Sequence, residues 1–366
     1  MLSYLKQFAF GLDISSSSVS VLKMAKKGGR LTLYGFQRVF LPAGLIRGGR
    51  IQDEKYLSEI IKKAAAGSRP RPINDFFVNL ALPEQLSFLQ VVQLPKMSFK
   101  EAAAAIKWEI EANIPLPIES VYYDWQIMEF PQKIDHLDVL IAAAPKDVVE
   151  SYVRTAKLAG FYPKSIEIDS FSLCRSIIPS FYSKEPILIV EFSSAQATLV
   201  VFSGKAPRFS STIPLSGRHF AEMAAAEWDS ARKIRVKKII SDSLGGIEES
   251  GGSLTDRTDS DAPRESVSNF VNFLTEQIRS HKEFYEDHAE HEHQSESSEI
   301  KKIMLCGSGI FSGFDRILAK NIKAAVEISN PFTNVSKKPG VDFSLISVEE
   351  SLALAKVIGL AARDLI

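Results

Sequence analysis

The stretch FGLDISSSSVSVLKM, residues 10–24, sets one aspartate and four serines between two apolar runs that alternate with small polar residues. Alternation of this kind is typical of β-strands, so the stretch predicts a β-hairpin with the serines at its turn. In one interpretation the serine hydroxyls only satisfy backbone groups of the turn. In the other, turn N–H groups and hydroxyls bind a phosphate while Asp13 reaches a hydrated magnesium ion. The hairpin alone leaves both interpretations open.

A second block repeats this plan. The segment ILIVEFSSAQATLVVFSGKAPRFSSTIPLSG, residues 187–217, again indicates a strand, an acidic residue, a small polar turn and a strand. Glu191 stands where Asp13 stood, and SSAQAT replaces SSSS. A glycine turn follows near the C-terminus in KIMLCGSGIF. Two half-domains of one plan, each with an acidic residue before its turn, are what a nucleotide held between two lobes would require.

Composition sets the broad class of protein. The 366 residues exceed the usual size of one core, which predicts two or three domains. Lysine plus arginine and aspartate plus glutamate number 44 each, so we expect no nucleic-acid partner. Cys174 and Cys306 form neither a disulfide framework nor a CxxC pair, which is typical of a reducing compartment. The start of the chain lacks a signal-peptide pattern and no run is apolar enough to span a bilayer. We therefore expect a cytoplasmic protein without direct membrane insertion.

The region between the two blocks has a different plan. The segment SFKEAAAAIKWEIEANIP, residues 98–115, pairs Ser98 with Glu101 as a capping box and predicts a helix that ends at Pro115. Runs on both sides predict strands, which gives a strand–helix–strand–strand insert over about 75–162.

Two polar segments interrupt the second half of the chain. Residues 241–266 are rich in Gly, Ser and Asp and predict a flexible insert. His288, His291 and His293 lie in a second polar stretch. Because this stretch has the composition of a loop, we interpret it as a solvated tract and place no metal there.

Four segments together resemble one known family. The specific one is AIKWEIEANIPLPIESVYYDW, residues 105–125, and FGLDISSSSV, AGFYPKSIEIDSFSLCRS and VIGLAAR support it. With these segments the chain resembles the PilM family of type IV pilus assembly proteins, within the actin-like ATPase superfamily. The resemblance implies an α/β fold of two ribonuclease-H-like lobes around a nucleotide cleft, with an inserted strand–helix–strand–strand (SHS2-type) subdomain. The implied units are subdomain 1A over 1–74, inserted subdomain 1C over 75–162, a return to 1A over 163–186, a second lobe over 187–340 and a C-terminal helix over 341–366 that packs on 1A.

The same resemblance implies ATP and magnesium in the cleft. Asp13 and Glu191 would hold the metal. The implied cofactor-binding residues lie in the three turns and are Asp13, Ser15, Ser16, Ser17, Ser18, Glu191, Ser193, Ser194, Gly307, Ser308 and Gly309.

The chain departs from the family pattern at positions that this chemistry would use. Ser15, Ser193 and Ser308 stand where the family has glycine, and Ser20 stands where a lysine is typical. Glu167 and Glu191 stand where the family has aspartate. Phosphoryl transfer depends on positioning and on charge stabilisation around the phosphates. We therefore assign no catalytic residue, and we expect ATP hydrolysis to be weak or absent.

A scaffold function follows from the resemblance. It implies that this chain binds the cytoplasmic N-terminal peptide of a PilN-like membrane protein in the groove between 1A and 1C. Through this partner the chain would be held at the inner membrane. Pilus motor ATPases are further implied partners. Four aromatic residues of the specific segment are candidates either for peptide anchors or for core packing: Trp108, Tyr122, Tyr123 and Trp125.

Two other functions fit the same fold. A nucleotide-switched ATPase with real turnover would gate partner binding through its cleft, and Lys23 or Lys237 would have to supply the missing positive charge. A sugar kinase of the same superfamily is the third candidate, for which the sequence shows no sugar-binding motif.

Overall fold

The computed structural model describes residues 8–27, 30–128, 135–193, 196–214, 261–289, 298–310, 314–335 and 345–365. Within these ranges the helices are α1 Glu54–Ala66, α2 Phe99–Asn113, α3 Lys146–Leu158, α4 Asp169–Ile177, α5 Asp261–His288, α6 Phe314–Asn321, α7 Val348–Ala353 and α8 Ala355–Ala362. The strands there are β1 Phe10–Ile14, β2 Ser18–Lys27, β3 Arg30–Phe40, β4 Ile46–Arg47, β5 Arg50–Ile51, β6 Arg69–Pro70, β7 Phe77–Leu82, β8 Phe88–Pro95, β9 Val121–Ile127, β10 His136–Pro145, β11 Tyr162–Ile168, β12 Ser183–Phe192, β13 Gln196–Gly204, β14 Ala206–Pro214, β15 Lys302–Gly307 and β16 Ala325–Ile328.

The first lobe is built on a mixed sheet with the strand order β11-β7-β1-β2-β3-β6. The predicted hairpin is confirmed, because β1 and β2 pair antiparallel and β3 continues the meander. Strands β7 and β11 extend the sheet on the other side of β1 in parallel orientation. Helices α1 and α3 pack on one face, where Leu57, Ile61 and Tyr152 share a core with Phe10 and Leu12. Helix α8 packs against β1 and β2 on the other face.

The second lobe repeats this plan. Its sheet has the order β14-β13-β12-β15-β16, in which β12, β13 and β14 form an antiparallel meander and β15 and β16 run parallel to β12. The order matches β3-β2-β1-β7-β11 of the first lobe strand by strand. The internal repeat predicted from the two sequence blocks is therefore confirmed.

A smaller sheet with the order β8-β10-β9 is inserted into the first lobe. Helix α2 covers one face of it and begins with the predicted capping box of Ser98 and Glu101. Its buried residues Ala102, Ile106 and Ile110 pack on strand residues of this inserted sheet. The inserted sheet and α2 together form the predicted strand–helix–strand–strand unit.

The insert is narrower than the predicted range 75–162. Strand β7 pairs with β1 in the first-lobe sheet, and Val148 and Tyr152 of α3 lie in the first-lobe core. The separate sheet therefore uses 88–145. The sequence pattern could not show this, because β7 and β8 look alike as apolar strands and only their pairing assigns them to different sheets.

Three further segments differ from expectation. Helix α5 begins at Asp261, so the last residues of the predicted flexible insert 241–266 are helical, whereas 241–260 lie outside the described residues. His288 ends α5, and His291 and His293 lie outside the described residues. Strand β12 begins at Ser183, before the predicted start of the second lobe at 187.

Candidate functional site

The first turn satisfies its own backbone. The Ser15 N–H donates to the Ser18 carbonyl at 2.9 Å. The Ser15 hydroxyl oxygen accepts from the Ser18 N–H at 3.0 Å and from the Ser17 N–H at 3.4 Å. Amides bonded in this way are not directed at a ligand, and Ser16 contributes none of these bonds. The contacts therefore favour the interpretation that the serines stabilise the turn.

The second turn has the same geometry. The Ser193 N–H donates to the Gln196 carbonyl at 2.9 Å, and the Ser193 hydroxyl donates to the same oxygen at 3.0 Å. Ser194, which the sequence also predicts in this turn, lies outside the described residues. Ser15 and Ser193 thus begin equivalent turns in the two lobes.

The third turn requires glycine at its first position. Gly307 ends β15 with a φ of 102°, and a Cβ added there would lie 2.0 Å from the carbonyl oxygen of Phe192. The Gly309 N–H donates to that carbonyl at 3.2 Å, and Ser308 lies between the two glycines. Because β15 lies beside β12, this turn lies next to the end of the strand that carries Glu191.

Acidic side chains from both lobes meet at the carboxyl ends of the parallel strands. Asp13 lies on β1 and Glu191 on β12, as predicted. Asp169 begins α4 directly after β11, and Glu84 follows β7. Ligand sites of open α/β sheets lie at this edge. Sequence reasoning missed Asp169 and Glu84, although Glu84 follows a predicted strand.

A lysine lies among these carboxylates. The Nζ of Lys356, on α8, is 3.3 Å from Asp169 Oδ2, 3.4 Å from Glu191 Oε1 and 4.0 Å from Asp13 Oδ1. Its side chain is 11% exposed. Asp13 and Asp169 belong to the first lobe and Glu191 to the second, so one ammonium group joins both walls of the cleft.

Close packing of α8 brings Lys356 to this place. A Cβ added at Gly359 would lie 1.8 Å from the carbonyl oxygen of Ser172, so only glycine lets α8 approach α4 this closely. The buried Asn79 donates from Nδ2 to the Leu360 carbonyl at 3.0 Å and holds α8 against β7. The sequence signal was the single charged residue in the otherwise apolar segment AKVIGLAA.

Burial and the neighbouring charges both shift the pKa values of this cluster. Burial raises the pKa of Asp169 to about 8; Lys356 opposes this rise, and the charges of Asp13, Glu191 and Glu84 add to it. Burial also raises the pKa of Glu84, although bonds from Ser210 and Ser170 oppose the rise. For Lys356, burial disfavours the charged form, but attraction to Asp169, Glu191 and Asp13 outweighs it and raises the pKa. The lysine is therefore an ammonium ion throughout the physiological range.

The carboxylates do not fit a magnesium ion in this arrangement. Magnesium needs near-octahedral oxygen ligands at about 2.0–2.1 Å. Among the described residues, no three His, Cys, Asp or Glu side chains are grouped so that they could hold a metal ion. The ammonium group of Lys356 already lies beside Asp13 and Glu191, the two residues expected to bind the metal.

The other predicted cations lie elsewhere. Lys23 pairs with Asp75 and lies over the ring of Tyr34, and Lys237 lies outside the described residues. Arg38, which the sequence analysis did not single out, donates from Nε to the Ser18 hydroxyl at 3.2 Å. An arginine thus reaches the first turn from β3.

A large groove lies beside the inserted sheet. It encloses about 1140 Å³ between β9, β10, α3, β11 and the β13–β14 hairpin. Apolar side chains on its walls include Ala142, Val153, Ile166 and Phe171. Charged residues of both signs complete the lining: Asp124, Glu150, Glu167, Arg175, Lys205, Arg208 and Arg363. Glu167 pairs there with Arg175 and Arg363, so this departure from the family pattern lies in the groove rather than among the cleft carboxylates.

Only one of the four candidate aromatic anchors has its side chain on the groove side of the inserted sheet. Tyr123 and Trp125 pack towards α2, where the Trp125 ring contacts Phe99 at 4.7 Å between centroids. Trp108 is 73% exposed on α2, on the far side of the sheet. Tyr122 is 49% exposed and approaches α3, with its hydroxyl 3.4 Å from Glu150. Alternation along β9 explains the division, since neighbouring side chains point to opposite faces.

Comparisons with known proteins identify the fold and the family. A solved structure described as the PilM-PilN type IV pilus biogenesis complex aligns over 99% of this chain and 99% of that chain, with a TM-score of 0.74 and 21% identity. Ethanolamine utilization protein EutJ from Carboxydothermus hydrogenoformans aligns over 97% of this chain and 89% of that chain, with a TM-score of 0.51 and 9% identity. The chain is thus a protein of the actin-like ATPase fold.

The family is narrower than the fold. The family model for type IV pilus assembly protein PilM matches residues 11–365. The chain belongs to the PilM family, and its function lies in type IV pilus assembly. In the part of the chain that the structure describes, no helix is both long and apolar enough to cross a membrane.

Proposed function

We propose that this chain is a cytoplasmic scaffold of type IV pilus assembly that binds the N-terminal cytoplasmic peptide of a PilN-like inner-membrane protein. The observation that carries the proposal is the groove beside the inserted sheet, which the first lobe and the β13–β14 hairpin of the second lobe also line. Family membership supports the choice of partner, as does the similarity to a chain solved in a complex with PilN. Attachment to the inner membrane would then be through the partner, and pilus motor ATPases would be further contacts.

The size and lining of the groove suit a peptide. Small-molecule sites usually enclose about 300–1,000 Å³, and this groove reaches 1140 Å³ with an open mouth. Its apolar wall residues would bury side chains of an extended segment, while the charged residues of its lining would fix the direction of the peptide. In the inserted sheet, β9 is an edge strand next to β10. An extended peptide could pair with this edge, which is a common mode of peptide recognition.

Nucleotide is a secondary part of the proposal. ATP binding in the cleft is compatible with the scaffold, but turnover would need an arrangement that the described contacts do not provide. The amides of Ser17 and Ser18 are bonded to the Ser15 hydroxyl, and Lys23 pairs with Asp75. These contacts favour the scaffold over the nucleotide-switched ATPase.

A peptide titration tests the proposal. A fluorescent peptide with the cytoplasmic N-terminal sequence of the PilN-like protein from the same organism should bind the full chain, as measured by anisotropy. Ala142→Arg puts a long charged side chain into the groove and should weaken binding by about tenfold or more.

The matched control is Ala104→Arg, which makes the same change at an exposed position on α2. It should leave the peptide affinity unchanged. The proposal is wrong if the wild-type chain does not bind the peptide, or if both variants bind it as well as the wild type does.

A further inference from the structure

Because Lys356 pairs with the carboxylates of the cleft, its ammonium group lies where a metal ion would otherwise contact them. A divalent cation in an acidic cleft neutralises carboxylates that burial would otherwise destabilise. Here Asp13, Asp169 and Glu191 have side chains that are 6%, 15% and 9% exposed. Within the described ranges, Lys356 is the cation that lies within 4.0 Å of these three groups.

Contacts of the α8 backbone hold Lys356 in position. Gly359 permits the contact of α8 with α4, and Asn79 binds the α8 backbone. The Lys356 side chain is only 11% exposed, and its ammonium group donates to Asp169. If Lys356 moved to contact a nucleotide phosphate, it would leave the buried Asp13 and Glu191 without a cation and the Asp169 carboxyl group without its hydrogen-bond donor, which is strongly unfavourable.

We propose that the ammonium group of Lys356 takes the place of the divalent cation, so that the two lobes are joined by an internal ion-pair cluster and the cleft takes up no magnesium ion. Glu191 contributes the second-lobe side of this cluster, and Asp13 and Asp169 contribute the first-lobe side. The cleft is then held together without a ligand. This inference goes beyond the scaffold proposal, because it concerns the cleft and not the peptide groove.

Thermal unfolding of the full chain with and without millimolar MgCl₂, at fixed ionic strength, tests the proposal. The melting temperature of the wild type should not change with magnesium. Lys356→Met keeps most of the side-chain volume but removes the charge, and should lower the melting temperature by roughly 5–10 °C. Magnesium should then restore part of this loss, because it binds the carboxylates that the substitution leaves without a cation in the folded variant.

The matched control is Lys282→Met. Lys282 on α5 is 10% exposed and pairs with Glu286 at 2.6 Å, so it is an equally buried lysine with one carboxylate partner. Lys282→Met should lower the melting temperature less than Lys356→Met does, and magnesium should not raise the melting temperature of Lys282→Met.

Three results would overturn the proposal. The first is magnesium stabilisation of the wild type that disappears in Asp13→Asn, a measurement that does not depend on the lysine variant folding. The second is a loss in Lys356→Met no larger than in Lys282→Met. The third is a folded Lys356→Met that magnesium does not stabilise, since the carboxylates would then form no cation site of their own.

Discussion

The interlobe cleft and the peptide groove differ in what lies between their walls. In the cleft, Lys356 joins carboxylates of both lobes at 3.3–4.0 Å, and Ser15 and Ser193 bond within their own turns. In the groove, about 1140 Å³ are open, and the walls carry both apolar and charged side chains. The comparison teaches that one fold can hold a cleft whose walls are joined by internal ion pairs and, beside an inserted sheet, a groove whose walls stay apart.

The largest expected effect concerns the cleft, where the buried Asp169 makes the free energy of unfolding depend on pH. Burial raises the pKa of Asp169 from 3.8 to about 8. Between these values the folded chain binds a proton that the unfolded chain has released, so this group destabilises the folded state as the pH rises from about 4 to 8. In Asp169→Asn, the free energy of unfolding should fall less with pH than in the wild type, by up to about 1.4 kcal/mol per pH unit. Urea denaturation at several pH values measures this.

The groups that face Asp169 are Lys356, Asp13, Glu191 and Glu84. Glu84 has a raised pKa as well and contributes in the same direction. A suitable comparison is Asp147→Asn, at an exposed carboxylate whose pKa is lowered by its bond with Arg50. Its stability contribution is lost as the pH falls, which is the opposite sign. Parallel pH curves for the wild type and Asp169→Asn would contradict the description of the cleft as a buried charge cluster.

Much of the fold was predictable from the sequence, and less of the site. Alternating strands, the capping box of Ser98 and Glu101 and the repeat of Asp13 by Glu191 are local patterns. Asp169 and Lys356 come together only through tertiary packing, because α8 returns to the first lobe from the end of the chain. A single lysine in an apolar helical segment was nevertheless a usable signal, since such a charge needs a partner when it is buried.

The aromatic residues also show what local sequence patterns could not predict. The segment at 105–125 marked the family correctly, but strand alternation had to be combined with the known position of α2 before Tyr122 could be separated from Tyr123 and Trp125. Sequence reasoning could name the groove region and could not orient the side chains.

A smaller effect on peptide affinity is expected when an exposed aromatic residue on the groove side of the inserted sheet is replaced, and none when one on the other side is replaced. Tyr122 borders the groove, whereas Trp108 is more exposed but lies on α2. Tyr122→Ala should weaken binding of the PilN-type peptide by about 1–2 kcal/mol, because it removes an aromatic wall residue. Trp108→Ala should leave the affinity unchanged. Anisotropy titrations of both variants measure this, and an effect of Trp108→Ala equal to that of Tyr122→Ala would place the binding surface elsewhere.

The smallest expected effect is the most informative one, namely the change in peptide affinity of the wild-type chain when ATP and magnesium are added. If the groove functions independently of the cleft, the dissociation constant should agree within about twofold with and without ATP and magnesium, since a ligand shifts partner binding only through a coupling free energy. A change of about tenfold or more would contradict the scaffold and establish a nucleotide-switched protein.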